Sequence, residues 1–317
     1  MRAVQVVRLD GPAAVEVRDV PEPQRGPDQV LVDVKAIGVN FPDVLQTKGL
    51  YQDKPELPFT LGSEVAGPDG FPLRAGDRVA AFTTTGAFAE TAAAPADHVL
   101  PLPDGIGFPA GACLPMNYLT AHFALLVRGH LREGQTVLVQ GAAGGVGTAV
   151  IQLAVALGAR VIAVASTEEK AAVARAAGAH ETVLADGFKD AVKGLTGGTG
   201  VDLVVDPVGG DRFTDSLRCL APEGRLLVVG FTAGEIPTVK VNRLLLNNID
   251  VVGVGWGAYA HARPGYLLQQ WAELEPHLRS GALDPVISTT FPLERAADAL
   301  ATIDERRVTG KVVLETA

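Results

Sequence analysis

The stretch at 137–154 reads VLVQGAAGGVGTAVIQLA, an apolar run that breaks into a glycine-rich turn and resumes with helical spacing. Val137, Leu138 and Val139 have the character of a buried strand, and 148–157 continue as a helix. Gly144 and Gly147 are expected to supply the tight turn and the close approach of helix to strand. Position 142 holds Ala where the dinucleotide fingerprint has its first glycine, so the pattern is A-x-G-x-x-G. An ordinary glycine-rich strand-to-helix turn is the bland alternative. The setting favours a pyrophosphate cradle, because a second apolar strand at 161–165 follows at the distance a βαβ unit needs. The N–H groups of Ala143, Gly144, Gly145 and Val146, at the positive end of the helix dipole, are then the phosphate-binding candidates.

Outward from this turn, apolar strands at 203–206, 226–230 and 249–254 alternate with helical stretches at 168–177 and 212–220. That rhythm predicts an α/β fold with a doubly wound parallel sheet. Before residue 117 the chain is strand-rich and punctuated by Gly and Pro, with strands expected at 30–34 and 78–82 and an exposed loop at 21–29. The shift sets three segments: a β-rich part at 1–116, a dinucleotide-binding part at 117–255, and a return at 256–317. The last holds an amphipathic helix at 266–280 and ends in a strand-like KVVLE.

Composition narrows the class without naming a reaction. The chain has 317 residues, 47% of them hydrophobic, enough for a large core and about two domains. Its two cysteines, Cys113 and Cys219, cannot build a disulfide framework, and they read as small buried apolar residues. The start alternates like a strand instead of carrying a signal segment, and no apolar run is long enough to span a bilayer, so the expected location is the cytoplasm. A net charge of −9 disfavours nucleic acid and anionic membranes as partners.

GVNFPDVLQTKGLY, LGSEVAG, AGDRV, the AAGGVG turn, DPVGG and a terminal TGKVVL occur in an order that resembles the medium-chain dehydrogenases/reductases. Within them, the chain resembles the zinc-free quinone oxidoreductases, the group that includes zeta-crystallin. The resemblance spans nearly the whole chain. It implies a Rossmann domain and a GroES-like catalytic domain split in sequence. In the zinc-dependent relatives a cysteine ligand stands where this chain has Asn40, and a histidine ligand where it has Ser63. Neither replacement is a normal zinc ligand, so no metal is expected. The carboxylates Asp43 and Glu64 read as structural, pairing with a nearby cation or capping a turn.

Cofactor choice rests on the end of the second strand, where NAD-specific sites carry an acid. Here Ser166 stands in that place and Lys170 follows one turn into the helix, a combination that favours NADPH. Ser166 with Glu169 also fits a capping box. The resemblance further implies Asn40 near the nicotinamide ribose, Thr120 on the cofactor-facing helix and Lys311 near the nicotinamide; the alternatives are an Asn40 bonded to loop backbone, a Thr120 satisfied within its helix and an exposed C-terminal lysine. It makes Tyr51 a substrate-side aromatic. Asn40 and Tyr51 are the catalytic candidates, although Leu45 replaces a second tyrosine often found there. Val208 and Gly209 in DPVGG, with Gly230, Phe231 and Thr232, lie at carboxyl ends of parallel strands, the edge where such sheets bind ligands.

These features predict an NADPH-dependent quinone reductase that leaves the chemistry to its cofactor, with a proton drawn from solvent. Reduction of an activated C=C bond in an enal, enone or enoyl thioester would need the same hydride geometry. A catalytically silent NADPH-binding or structural protein is the third alternative. The apolar strand at 249–254 is expected to be a sheet edge that joins two copies into a homodimer.

Overall fold

In the computed structural model, residues 1–68 and 76–316 are described, and the first residue of the AGDRV motif, Ala75, lies outside them. Short runs rich in Val, Ile and Leu build a six-stranded sheet in the order Glu181–Leu184, Arg160–Ala165, Thr136–Val139, Val201–Asp206, Leu220–Val228, Asp250–Gly253. Every neighbouring pair is parallel. The order runs outward both ways from Thr136–Val139, the doubly wound arrangement with its switch point beside that strand. Strands buried on both faces need continuous apolar sequence, which is why RVIAVA carries five buried residues in a row after Arg160. Leu138, Ile162, Val204 and Leu226 pack with Phe188, Val192, Phe213 and Leu217 from the helices Phe188–Leu195 and Phe213–Arg218.

The β-rich part forms a second six-stranded sheet, ordered Ile287–Pro292, Lys311–Glu315, Ala36–Val39, Glu64–Pro68, Arg78–Phe82, Val99–Pro101. The C-terminal strand pairs antiparallel with Ala36–Val39, with Val312 opposite Val39. Lys311 is thereby set beside the turn that leads into Asn40. The helix Ala296–Asp304 covers this core through Ala296, Ala299 and Leu300.

Contacts divide the chain into one unit of Met1–Leu119, Arg263–Arg279 and Ile287–Ala317, and a second of Thr120–Ala262 and Ser280–Val286. The first unit thus returns twice, because Ser280–Val286 leaves it to join the second. No helix among the described residues is long and apolar enough to cross a membrane.

Candidate active site

In the second unit, the strand Thr136–Val139 ends in a turn whose left-handed residue is Gly141, at φ +58. Gly144 has an ordinary φ of −84 and serves as N-cap of the helix Gly145–Ala156. The turn-forming glycine therefore lies one residue before the fingerprint position held by Ala142, a correction to the sequence expectation for Gly144. Gly147 does fill the close-approach role, since a Cβ there would stand 2.4 Å from Gly141 O. With glycine as N-cap, no side chain caps the first turn, and Gly145 and Val146 are partly exposed. Such an open helix start, joined to the carboxyl edge of a parallel sheet, fits an anionic pyrophosphate.

The DPVGG loop stands against this turn. A Cβ on Gly141 would lie 3.0 Å from Val208 Cγ2. Asp206 is buried, and its Oδ1 accepts the N–H groups of Val208 at 2.8 Å and Gly209 at 2.9 Å. Burial raises its pKa against the lowering effect of those two bonds. Thr232 N–H donates to Pro207 O and Ala233 N–H to Val208 O, which sews the Gly230–Thr232 loop to DPVGG. Gly209 has φ +67, and a Cβ there would meet Phe231 Cδ1 at 2.9 Å. Five candidates, Val208, Gly209, Gly230, Phe231 and Thr232, are thus brought together, with Asp206 as the positioning residue the motif reading had left without a role.

Ser166 and Lys170 follow the strand Arg160–Ala165. The N-cap of the helix Glu168–Ala176 is Thr167, whose Oγ1 accepts Lys170 N–H at 3.2 Å. This corrects the capping box expected from Ser166. The hydroxyl one residue nearer the helix has the β-region backbone an N-cap needs. Ser166 is left exposed in front of the helix start.

The first unit holds a buried ionic network. Lys311 and Glu64 are 4% and 0% exposed, and Lys311 Nζ lies 2.7 Å from Glu64 Oε1. The ammonium also donates to Asn40 Oδ1 at 2.7 Å and Val39 O at 3.2 Å, so its three donors are used. Asn40 Nδ2 donates to Glu64 Oε1 at 2.8 Å and to Gly38 O at 3.3 Å. Glu64 Oε2 accepts Met116 N–H at 2.7 Å, placing a carboxylate at the start of the helix Leu114–His122, where the dipole favours it. Gly38 makes room for this, because a Cβ would stand 2.2 Å from Glu64 Oε1 and 2.3 Å from Ala112 O. Asp43 Oδ2 accepts Asn40 N–H at 2.7 Å. Its burial pushes the carboxyl up to about 7, while that N–H and Lys311 pull the other way.

Both carboxylates thus take the structural roles expected of them: Glu64 pairs with a cation and Asp43 caps a turn. Lys311 is an interior lysine, and its contacts make it a positioning residue for Asn40 and Glu64. Zinc does not fit here. A carboxamide and a hydroxyl replace two ligands, and an ammonium is already bonded to the carboxylate and the amide.

Tyr51 is half-buried in the loop that follows the helix Phe41–Thr47. Burial raises its pKa, with Asp53 and Asp43 adding to the effect. Thr120 is buried on the helix Leu114–His122. Cys113 and Cys219 are buried, and burial lifts each thiol to about 12, which leaves them inert packing groups.

Comparison with known proteins gives this geometry a family. Residues 26–104 match an alcohol dehydrogenase GroES-like domain, and residues 145–273 match the family described as zinc-binding dehydrogenase. The rat quinone oxidoreductase-like protein 2 is 38% identical over 322 residues, covering 99% of this chain and 91% of the rat protein. A probable oxidoreductase from Mycobacterium abscessus is 43% identical with a TM-score of 0.91, covering 99% of this chain and 98% of its own. The quinone oxidoreductase of Thermus thermophilus, solved also with NADPH, is 36% identical with a TM-score of 0.86, covering 99% and 100%. With a GroES-like part, a Rossmann sheet and relatives matched along almost its full length, the chain belongs to the quinone oxidoreductases of the medium-chain dehydrogenase/reductase superfamily.

Proposed function

We propose that this chain is an NADPH-dependent quinone reductase that works without zinc. The observation that carries the reading is the glycine turn 141–147, whose uncapped helix start suits a pyrophosphate and stands beside the DPVGG loop. When bound, the cofactor supplies a hydride from C4 of its nicotinamide. The residues around it bind and orient. N–H groups at 143–146 hold the pyrophosphate, while Ser166 and Lys170 recognise the 2′-phosphate where an acid would repel it. Asp206 keeps the Val208–Gly209 N–H groups in place. In the first unit, the ammonium of Lys311 occupies the neighbourhood that a metal would otherwise charge, so the acceptor's proton comes from solvent and not from a metal-bound water.

The sheet also supports a homodimer. Asp250–Gly253 is a terminal strand, and exposed Val241, Leu245 and Leu246 lie shortly before it in sequence. The functional reading is tested by steady-state oxidation of NADPH with a panel of quinones and enones, with and without a strong chelator. Quinone-dependent turnover that survives the chelator is expected. Turnover lost with chelator and restored by zinc would refute the zinc-free reading, and no turnover with any acceptor would refute the enzymatic one.

A further inference from the structure

The second unit carries a polar strut in an otherwise apolar layer. Gln140 is the last residue before the left-handed Gly141, and its N–H donates to Val205 O at 2.9 Å, which extends the strand Thr136–Val139 to the edge of the turn. Strand side chains alternate, so Gln140 shares its face with Leu138, which packs with Phe213 and Leu217 of the helix Phe213–Arg218. Among these apolar groups Gln140 Nε2 donates to Ser216 Oγ at 3.1 Å, and both residues are 0% exposed.

Stability does not explain this pair. Gln140 Oε1 is buried with no hydrogen-bond partner among the described residues, so the amide is only partly compensated. A methionine of similar length would meet the same apolar wall without that penalty. What the bond does supply is geometry. Gln140 leads directly into the turn 141–147, and Ser216 lies on the helix that follows the DPVGG loop and the short turn Gly210–Arg212. The two loops meet where a Cβ on Gly141 would stand 3.0 Å from Val208 Cγ2. Among the described residues, this is the only side-chain hydrogen bond between 140–147 and 206–218.

We propose, on the reading of these loops as the cofactor site, that the Gln140–Ser216 bond sets the spacing between the glycine turn and the DPVGG loop. Gln140 is then a positioning residue for the pyrophosphate of NADPH. With no exposure, neither side chain touches a ligand, and the effect passes through the main chain of Gly141. Loops held at a fixed spacing bind without first being ordered, whereas loops free to shift lose affinity to that ordering. A polar pair in an apolar layer also fixes register, because sliding the strand against the helix leaves both groups buried and unpaired.

The test compares Gln140→Met, Ser216→Ala and the double variant in the full chain, by melting temperature and by titration with NADPH and with 2′-AMP, a fragment that lacks the pyrophosphate. NADPH affinity is expected to fall about 5- to 10-fold in each single variant and by the same factor in the double, because one bond is lost in all three. Affinity for 2′-AMP stays within about twofold, since Ser166 and Lys170 follow a different strand, Arg160–Ala165. The double variant melts no lower than the parent, because apolar groups replace an incompletely paired polar set. Unchanged NADPH affinity in the variants overturns the proposal alone. Equal losses for NADPH and 2′-AMP, losses that add in the double variant, or a double variant that melts lower overturn it too, because each marks the bond as general support of the unit. A parent that binds 2′-AMP as tightly as NADPH gains nothing from the pyrophosphate, and then the reading of the glycine turn falls and this proposal with it.

Discussion

Replacing Lys311 by methionine removes the charge but keeps most of the buried volume. Glu64, at 0% exposure, would then lose the cation 2.7 Å away and keep only the N–H groups of Asn40 and Met116. Breaking a buried pair from one side costs about 3 to 5 kcal/mol, because the stranded charge retains its desolvation penalty. For a unit of this size, that is a fall of roughly 6 to 20 °C in melting temperature. Adding Glu64→Gln removes the stranded charge, and the double variant is expected to return to within about 1.5 kcal/mol of the parent, having lost mainly one hydrogen bond. The chain has two tryptophans, with Trp271 in the first unit and Trp256 in the second. Urea unfolding followed by fluorescence in a Trp256→Phe background therefore reports the unit that contains the pair. A loss below about 1 kcal/mol for Lys311→Met, or a double variant no better than the single, would refute the account of this network.

Asp43 goes from an ordinary 3.8 to about 7 on folding, so the folded chain holds an extra proton between those values. Its contribution to stability is complete below about pH 4 and is lost as pH rises through 7, a swing of about 4 kcal/mol at most. Asp43→Asn should flatten that part of the profile in melting curves taken from pH 5 to pH 8, and an unchanged slope contradicts the assignment. Lys170→Ala should weaken NADPH binding by about 10- to 150-fold, the loss of one charge-assisted bond of roughly 1.5 to 3 kcal/mol, and affect NADH less. Equal affinity of the parent for both cofactors counts against Ser166 and Lys170 as the phosphate site. The parent should scatter light as a dimer at micromolar concentration, and Leu245→Glu with Val252→Pro should dissociate or aggregate it. A stable parent monomer rules the edge interface out.

What was legible in the sequence was local. The Rossmann strands show as β-branched runs, and Glu168–Ala176 and Tyr266–Arg279 show as helices, because their periodicity is written in neighbouring residues. Boundaries and caps slipped: Gly141 takes the turn expected of Gly144, and Thr167 the cap expected of Ser166. In both cases nearby residues of the same chemistry compete, and backbone angles decide. The sheet-edge strand Glu181–Leu184 had no clear signal, since ETVL is short and opens with a charge. Lys311 was harder still. Its partners, Glu64 and Asn40, lie 247 and 271 residues away in the chain, so nothing local marks it as an interior cation. Ser63 was noticed only for the ligand it is not.

The Lys311 bridge also constrains how this scaffold changes its chemistry over evolutionary time. Installing cysteine at Asn40 and histidine at Ser63 would not create a metal centre while an ammonium remains bonded to Glu64. Removing the lysine first strands the carboxylate, and bringing a cation-binding ligand set in first sets a divalent ion against a fixed positive charge. Either order of single steps crosses a destabilised intermediate. The metal-free and metal-bound forms of this architecture are thus separate basins, and conversion between them requires the ligands and the lysine to change together.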